Sequence, residues 1–250
     1  MSKISIKTDQ EIKLMREAGR IAAEALAVLK KNLRAGLTTS ELDAAGEDLI
    51  RGRGAEPVFK GYRGYRHATC ISVNSEVVHG IPGGRLIKDG DIVSIDVGVR
   101  YKGFCGDNAA TFPVGTVSSK ATKLLRAGKE ALAAGIKQAR VGRRLGDLSH
   151  AIQKVSEKQG FSVVRELYGH GIGRDLHEDP LIPNFGFPGE GIHLQAGMII
   201  AIEPMLNTGS WRIRTLDDGW TVVTEDGGLS SHFEHTVLIT SGDPEILTLW

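Results

Sequence analysis

Two pairs of carboxylates recur along the chain, the first acid of each pair closing a stretch that aligns without gaps on the other. Residues 88–96 read KDGDIVSID and residues 195–203 read QAGMIIAIE, each a glycine, an apolar run and one acid: Asp96 in the first, Glu203 in the second. A second acid follows each, Asp107 in GDNAATF and Glu234 in FEHTVLIT. Runs rich in β-branched residues read as strands. Period-2 alternation puts Val93, Ile95, Val97 and Val99 on one face, with Ser94, Asp96 and Gly98 on the other. The chain is expected to turn at residues 100–103 and return through Asp107, so that a hairpin brings both acids to one mouth. In the second stretch Glu203 alternates with Ile200 and Ile202, and Glu234 with Phe233, His235, Val237 and Ile239. All four acids converge if the two stretches pair about a pseudo-twofold axis.

Four carboxylates in a low-dielectric centre repel by several kcal/mol unless they take up protons or meet cations. Two divalent metal ions are the natural solution. The candidate nitrogen ligand is His170, in the loop-like Tyr-Gly-His-Gly-Ile-Gly of residues 168–173, where glycines let ring and backbone come close to a centre. Oxygen ligands with one imidazole and no thiolate suit manganese, iron(II), cobalt or zinc without choosing among them. His79 and His177 each open a His-x-x-Pro ahead of an acid-bearing strand, which makes them the next candidates. His67, His150, His193 and His232 stand in no such pattern and are expected in surface or hydrogen-bonded structural roles. His235 should point away from Glu234, either into the core or behind the candidate ligands.

The elements that position these residues also repeat. Thr8 with Glu11, and Thr38 with Glu41, form capping boxes ahead of amphipathic helices, the second ending at the glycines of residues 52–57. The same pair is expected at about residues 119–138 and 145–158. Gly36, Leu42, Ala45 and Gly54 correspond to Gly142, Leu148, Ala151 and Gly160, always 106 residues on. Halves of about 8–114 and 118–240, each helix-helix-strand-strand, imply one α+β catalytic domain with antiparallel strands at the centre and helices outside. About twenty more residues separate the two acids in the second half than in the first.

Composition narrows the classes further. The 250 residues carry 31 basic and 30 acidic side chains, a formal charge of +1, so nothing marks a nucleic-acid or anionic-membrane partner. No apolar stretch reaches the ~18 residues of a membrane helix, and the polar start MSKISIKTDQ does not read as a secretory signal. With only Cys70 and Cys105 as cysteines, a reducing, cytoplasmic setting is expected. The spacing of Gly169, Gly171 and Gly173 is not that of a dinucleotide fingerprint. The 32 glycines exceed the usual ~7% and call for many tight turns.

Seven segments in order, VVHGIP (77–82), DIVSIDVG (91–98), GDNAATF (106–112), GHGIG (169–173), LHEDP (176–180), IEP (202–204) and FEHT (233–236), closely resemble the methionine aminopeptidases, in particular the short bacterial type I. The resemblance runs along nearly the whole chain. It implies the pita-bread fold and a dinuclear centre in which Asp96 chelates one metal, His170 and Glu203 hold the other, and Asp107 and Glu234 bridge them. It further implies that His79 contacts the scissile amide region and that His177 stabilises the carbonyl oxygen. Tyr62, Tyr65, Cys70 and Trp220 match positions lining the methionine side-chain pocket, whereas by themselves they would read as core aromatics and an inert thiol. Phe59 and Leu176 stand where some relatives have a cysteine and a phenylalanine.

The expected reaction is hydrolysis of the first peptide bond of newly made proteins and peptides, with methionine first and a small residue second. Glu203 is the expected proton carrier, and His177, ahead of His79, the oxyanion donor. A monomer with the ribosome as a further partner is expected. Two rivals are a peptidase cleaving Xaa-Pro bonds, which in this fold carries an extra N-terminal domain, and a non-catalytic pita-bread peptide binder, which would be expected to lose metal ligands.

Overall fold

A computed structural model describes residues 4–250. Its four helices lie where the caps and periodicity predict: α1 at Asp9–Asn32, α2 at Thr39–Gly52, α3 at Ser119–Gln138 and α4 at Leu145–Lys158. Both predicted capping boxes are formed, Thr8 with Glu11 and Thr38 with Glu41, each contributing about 1 kcal/mol by satisfying backbone donors that a helix start leaves orphaned. Ser118 caps α3 through the Ala121 amide, and Asp147 reaches back to the Arg144 amide at the start of α4. Met15, Ile21, Leu26 and Leu29 on α1 are wholly buried.

The central hairpin joins strands Ile92–Tyr101 and Phe104–Pro113 in antiparallel register, Tyr101 opposite Phe104. Its turn residues Lys102 and Gly103 both have positive φ, 47° and 83°, the backbone that matches the right-handed twist of the flanking strands. Cys70–Val73 and Glu56–Pro57 also pair with the first of these strands. In the second half, five antiparallel strands run in the order Glu245–Ile246, His235–Leu238, Ile199–Ile202, Tyr168–Gly171, Glu178–Pro183.

Alternation predicts one apolar and one polar face for the hairpin, yet both faces are buried, Ser94 and Thr111 included. The face that carries Gly106 packs on α1, where a Cβ on Gly106 would lie 2.9 Å from the Gly19 Cα. The opposite face meets the second half. Asp107 donates its amide to Thr236 Oγ1, Thr236 Oγ1 donates to the Asp107 carbonyl, and the Glu234 amide donates to the Ala109 carbonyl. The largest apolar cluster accordingly mixes Ile21, Leu26, Ile95 and Val97 with Leu124, Leu148, Ile200 and Ile202. The extra length between Glu203 and Glu234 includes strands Ile213–Thr215 and Val222–Thr224, and the latter pairs with Glu76–Val78 of the first half.

Candidate metal centre

Register delivers the acids to one place. Asp96 faces Ala109 across the hairpin and Asp107 faces Gly98 two positions along, so both carboxylates leave the sheet on the same face. In the second half His170 pairs with Ala201, and Ile202 with His235, which leaves Glu203 and Glu234 immediately past the last pair. Asp96, Asp107, His170, Glu203 and Glu234 all line a single cavity of about 370 Å³.

The interatomic spacings are short. His170 Nε2 lies 3.6 Å from Glu203 Oε1 and 4.0 Å from Asp107 Oδ2. His170 Nδ1 is 2.9 Å from the Gly171 carbonyl, which can only accept, so Nδ1 carries the proton and Nε2 turns its lone pair toward the acids. His170 itself sits in strand Tyr168–Gly171 rather than in the expected loop. Its flanking glycines serve close approach instead of a turn: a Cβ on Gly171 would lie 2.2 Å from the Asp179 carbonyl oxygen, and one on Gly169 would lie 2.4 Å from that of Ala201.

Burial and mutual repulsion dominate the electrostatics. Burial, aided by the charge of Glu203, pushes Asp107 up to about 7, and burial alone pushes Glu203 up to about 8. Asp96 and Glu234 are driven well above the usual carboxylate range, first by burial and then by the neighbouring acids. Asp96 Oδ1 and Glu234 Oε1 are buried with no hydrogen-bond partner. Two sets, Asp107 with His170 and Glu234, and Glu203 with His232 and Glu234, each bring donor atoms within 4.8 Å of one another. Orphaned carboxylate oxygens, raised proton affinity and an imidazole lone pair fit divalent cations held by oxygen and nitrogen.

The other predicted site residues surround this centre. His79, His177, Tyr62, Tyr65, Cys70, Trp220, Phe59 and Leu176 line the same cavity. His79 holds a left-handed backbone (φ 59°), a conformation that costs about 1–3 kcal/mol in a non-glycine residue and recurs at functional sites. Burial lowers His79 to about 4 and His177 to about 3, so both rings are neutral at pH 7. Tyr62 Oη lies 2.8 Å from His177 Nδ1, a partnership that a pocket-lining role alone does not predict. Tyr65 stacks edge-on against Trp220 and donates its hydroxyl to the Thr69 and Gly80 carbonyls. Burial and the adjacent Asp96 push the Cys70 thiol well above its ordinary range, so it is an apolar wall and not a nucleophile.

Three of the four histidines without a sequence pattern behave as expected. His67 meets Asp43, His150 meets the Gly186 carbonyl, and His193 forms an isolated bridge with Arg144. His232 does not: it is 2% exposed, and its Nε2 lies 3.5 Å from Glu203 Oε2 and 3.9 Å from Glu234 Oε2. The signal was present, since positions 232 and 234 share a face in period-2 alternation. His235 is only partly buried and bonds Thr248 Oγ1. Sequence reasoning also missed Lys7, whose buried ammonium pairs with Glu178, next to His177, at 2.7 Å.

The comparisons with known proteins agree with this geometry. Residues 13–241 match metallopeptidase family M24. The chain is 56% identical over 246 residues to a methionine aminopeptidase of Clostridium perfringens, covering 98% of this chain and 99% of the relative. It is 53% identical to methionine aminopeptidase 1 of Bacillus subtilis, covering 98% and 99%. The crystal structure of a methionine aminopeptidase from Thermotoga maritima superimposes with a TM-score of 0.98 at 48% identity, covering 99% of this chain and 100% of that one. A prolidase from Pyrococcus furiosus shares the pita-bread fold at a TM-score of 0.81 and 26% identity, this chain spanning 98% of itself but 65% of the prolidase. The chain belongs to metallopeptidase family M24 and, within it, to the methionine aminopeptidases.

Proposed function

We propose that this protein removes the N-terminal methionine from newly made proteins and peptides by metal-dependent hydrolysis, with a small second residue preferred. The observation that carries the reading is one cavity with two kinds of wall: acids and His170 at one end, and Phe59, Tyr65, Cys70, Leu176 and Trp220 around the rest. Asp96, Asp107, His170, Glu203 and Glu234 would hold two divalent cations, with Asp107 and Glu234 shared between them, drawn from manganese, iron(II), cobalt or zinc. Bound there, such ions supply Lewis-acid polarisation and water acidified toward neutrality.

The chain's own residues do the rest. Glu203, a carboxylate lining the cavity beside the other ligands, is suited to accept the proton of the attacking water and hand it to the leaving amine. When the Tyr62 hydroxyl donates to Nδ1, the His177 proton sits on Nε2, free to donate to the substrate carbonyl oxygen as it gains charge. His79, edge-on to Trp220, is the ring assigned to contact the scissile amide region. The acidic end receives the substrate's free amine, which confines cleavage to the first bond. The apolar wall takes the flexible thioether of methionine, a side chain suited to irregular apolar and aromatic surroundings.

Asp96 and Asp107 come from one half of the chain and His170, Glu203 and Glu234 from the other, so both halves form one catalytic unit. A monomer is the oligomeric state proposed with this reading. Action beside the ribosome in the cytoplasm belongs to the same proposal; no helix among the described residues is long and apolar enough to cross a membrane.

The test is to incubate metal-loaded protein with Met-Ala-Ser, Met-Lys-Ser and Ala-Pro-Ser, with and without a chelator. Methionine released only from Met-Ala-Ser and abolished by the chelator supports the reading. Cleavage of Ala-Pro-Ser, or indifference to chelation, overturns it.

A further inference from the structure

We propose that His232 is a positioning residue of the centre, donating a hydrogen bond from Nε2–H to Glu203 Oε2 and thereby setting the orientation of that carboxylate. This rests on the reading of Glu203 as a metal ligand and proton carrier. The geometry around His232 supports it.

His232 Nε2 is buried and has no hydrogen-bond partner within the protein, although buried polar atoms are rarely left unpaired. Its nearer acid is Glu203, at 3.5 Å, at the outer edge of hydrogen-bond reach. The two oxygens of Glu203 are divided between two imidazoles, Oε1 facing His170 Nε2 and Oε2 facing His232 Nε2.

His232 also stands outside the ring of side chains lining the cavity, which His170 joins. A residue behind the wall does not touch substrate but can hold what does. Its own place is rigid: strand Ser230–His232 pairs with Met205–Asn207, and Thr111 Oγ1 bonds both the amide and the carbonyl of His232. A donor fixed in this way limits rotation of the Glu203 carboxylate. Outer partners of metal-ligating side chains act through such orientation.

The experiment compares the full-length protein with His232→Leu and His232→Gln, titrating each with Mn²⁺ by calorimetry and measuring kcat and KM on Met-Ala-Ser. Leucine and glutamine are similar in size, but only glutamine keeps an N–H donor. The expected result is about 10- to 100-fold weaker Mn²⁺ affinity in the leucine variant, a lower kcat with little change in KM, and rescue to within a few-fold by glutamine. Unchanged affinity and kcat in His232→Leu overturn the proposal. Loss of a whole metal equivalent in both variants also overturns it, because the imidazole is then itself a ligand.

Nitrogen-15 NMR of the histidine rings in Zn²⁺-loaded wild-type protein tests the same point without a variant. A proton on His232 Nε2 is expected, and a bare Nε2 with the proton on Nδ1 overturns the assignment. If the wild-type protein binds no divalent metal at all, it is the reading of the centre that has failed, and this proposal falls with it.

Discussion

Stripping divalent metal and raising the pH should destabilise this fold, because the centre then buries charges it cannot neutralise. Asp107 moves from 3.8 to about 7 and Glu203 from 4.5 to about 8, while Asp96 and Glu234 are held well above their ordinary values. Groups with raised pKa contribute stability that is full below their unfolded values and is lost as pH rises through their folded values, since the native state binds the more protons. The histidines act in the opposite sense. Burial lowers His79, His170 and His232 to about 4 and His177 to about 3, so stability is recovered as pH climbs toward their unfolded value of 6.5.

Above pH 6.5 the carboxylates dominate, the unfolded histidines being half protonated at 6.5 and offsetting less of the loss with each further step in pH. There, each proton held only by the folded state is worth about 1.4 kcal/mol per pH unit. Glu203 alone, at about 8, puts roughly 2 kcal/mol of loss between pH 6.5 and 8.0, several degrees in Tm for a chain of this size, and Asp96, Asp107 and Glu234 add to it in the same direction. Thermal melts followed by circular dichroism, on chelator-treated protein and on protein with Mn²⁺ added back, measure it. The metal-free Tm should fall over this window, the Mn²⁺-loaded Tm should stay level, and Glu203→Gln should remove part of the metal-free slope. Metal-free protein that is equally stable at pH 8.0 and 6.5 would show instead that the acids are solvated.

Asp107→Ala or Glu234→Ala should abolish peptidase activity and lower metal content together, as read by plasma emission analysis, whereas His177→Ala should keep the metal and lower kcat about 10²- to 10³-fold. Two equivalents of metal with full activity in Asp107→Ala would show that it does not bridge. Tyr62→Phe deletes the 2.8 Å partner of His177 and should reduce kcat about tenfold in steady-state assays while metal content stays constant. Gly171→Ala forces a methyl group to 2.2 Å from the Asp179 carbonyl and should cost about 1–3 kcal/mol in urea unfolding.

Whatever depends on neighbours within a few residues or on a repeated pattern is legible along the chain alone. The capping pairs Thr8–Glu11 and Thr38–Glu41 mark where α1 and α2 begin because the bonds that start a helix span three residues. Alternation puts Asp96 and Asp107 on one face of a hairpin, and the match of residues 88–96 to 195–203 gives Glu203 the corresponding place, since strand parity decides the face a side chain leaves from. The meeting of the two pairs requires the halves to pair. Which distant segments meet is settled only by folding. It buried both faces of the central hairpin, seated Trp220 against Tyr65 through the pairing of Val222–Thr224 with Glu76–Val78, and joined Tyr62 to His177 across 115 residues. It also turned His232 from an unremarked histidine into a neighbour of Glu203, and set Lys7 against Glu178. No local periodicity encodes such contacts, because they arise when apolar surfaces far apart in the chain exclude water together and carry their polar neighbours with them.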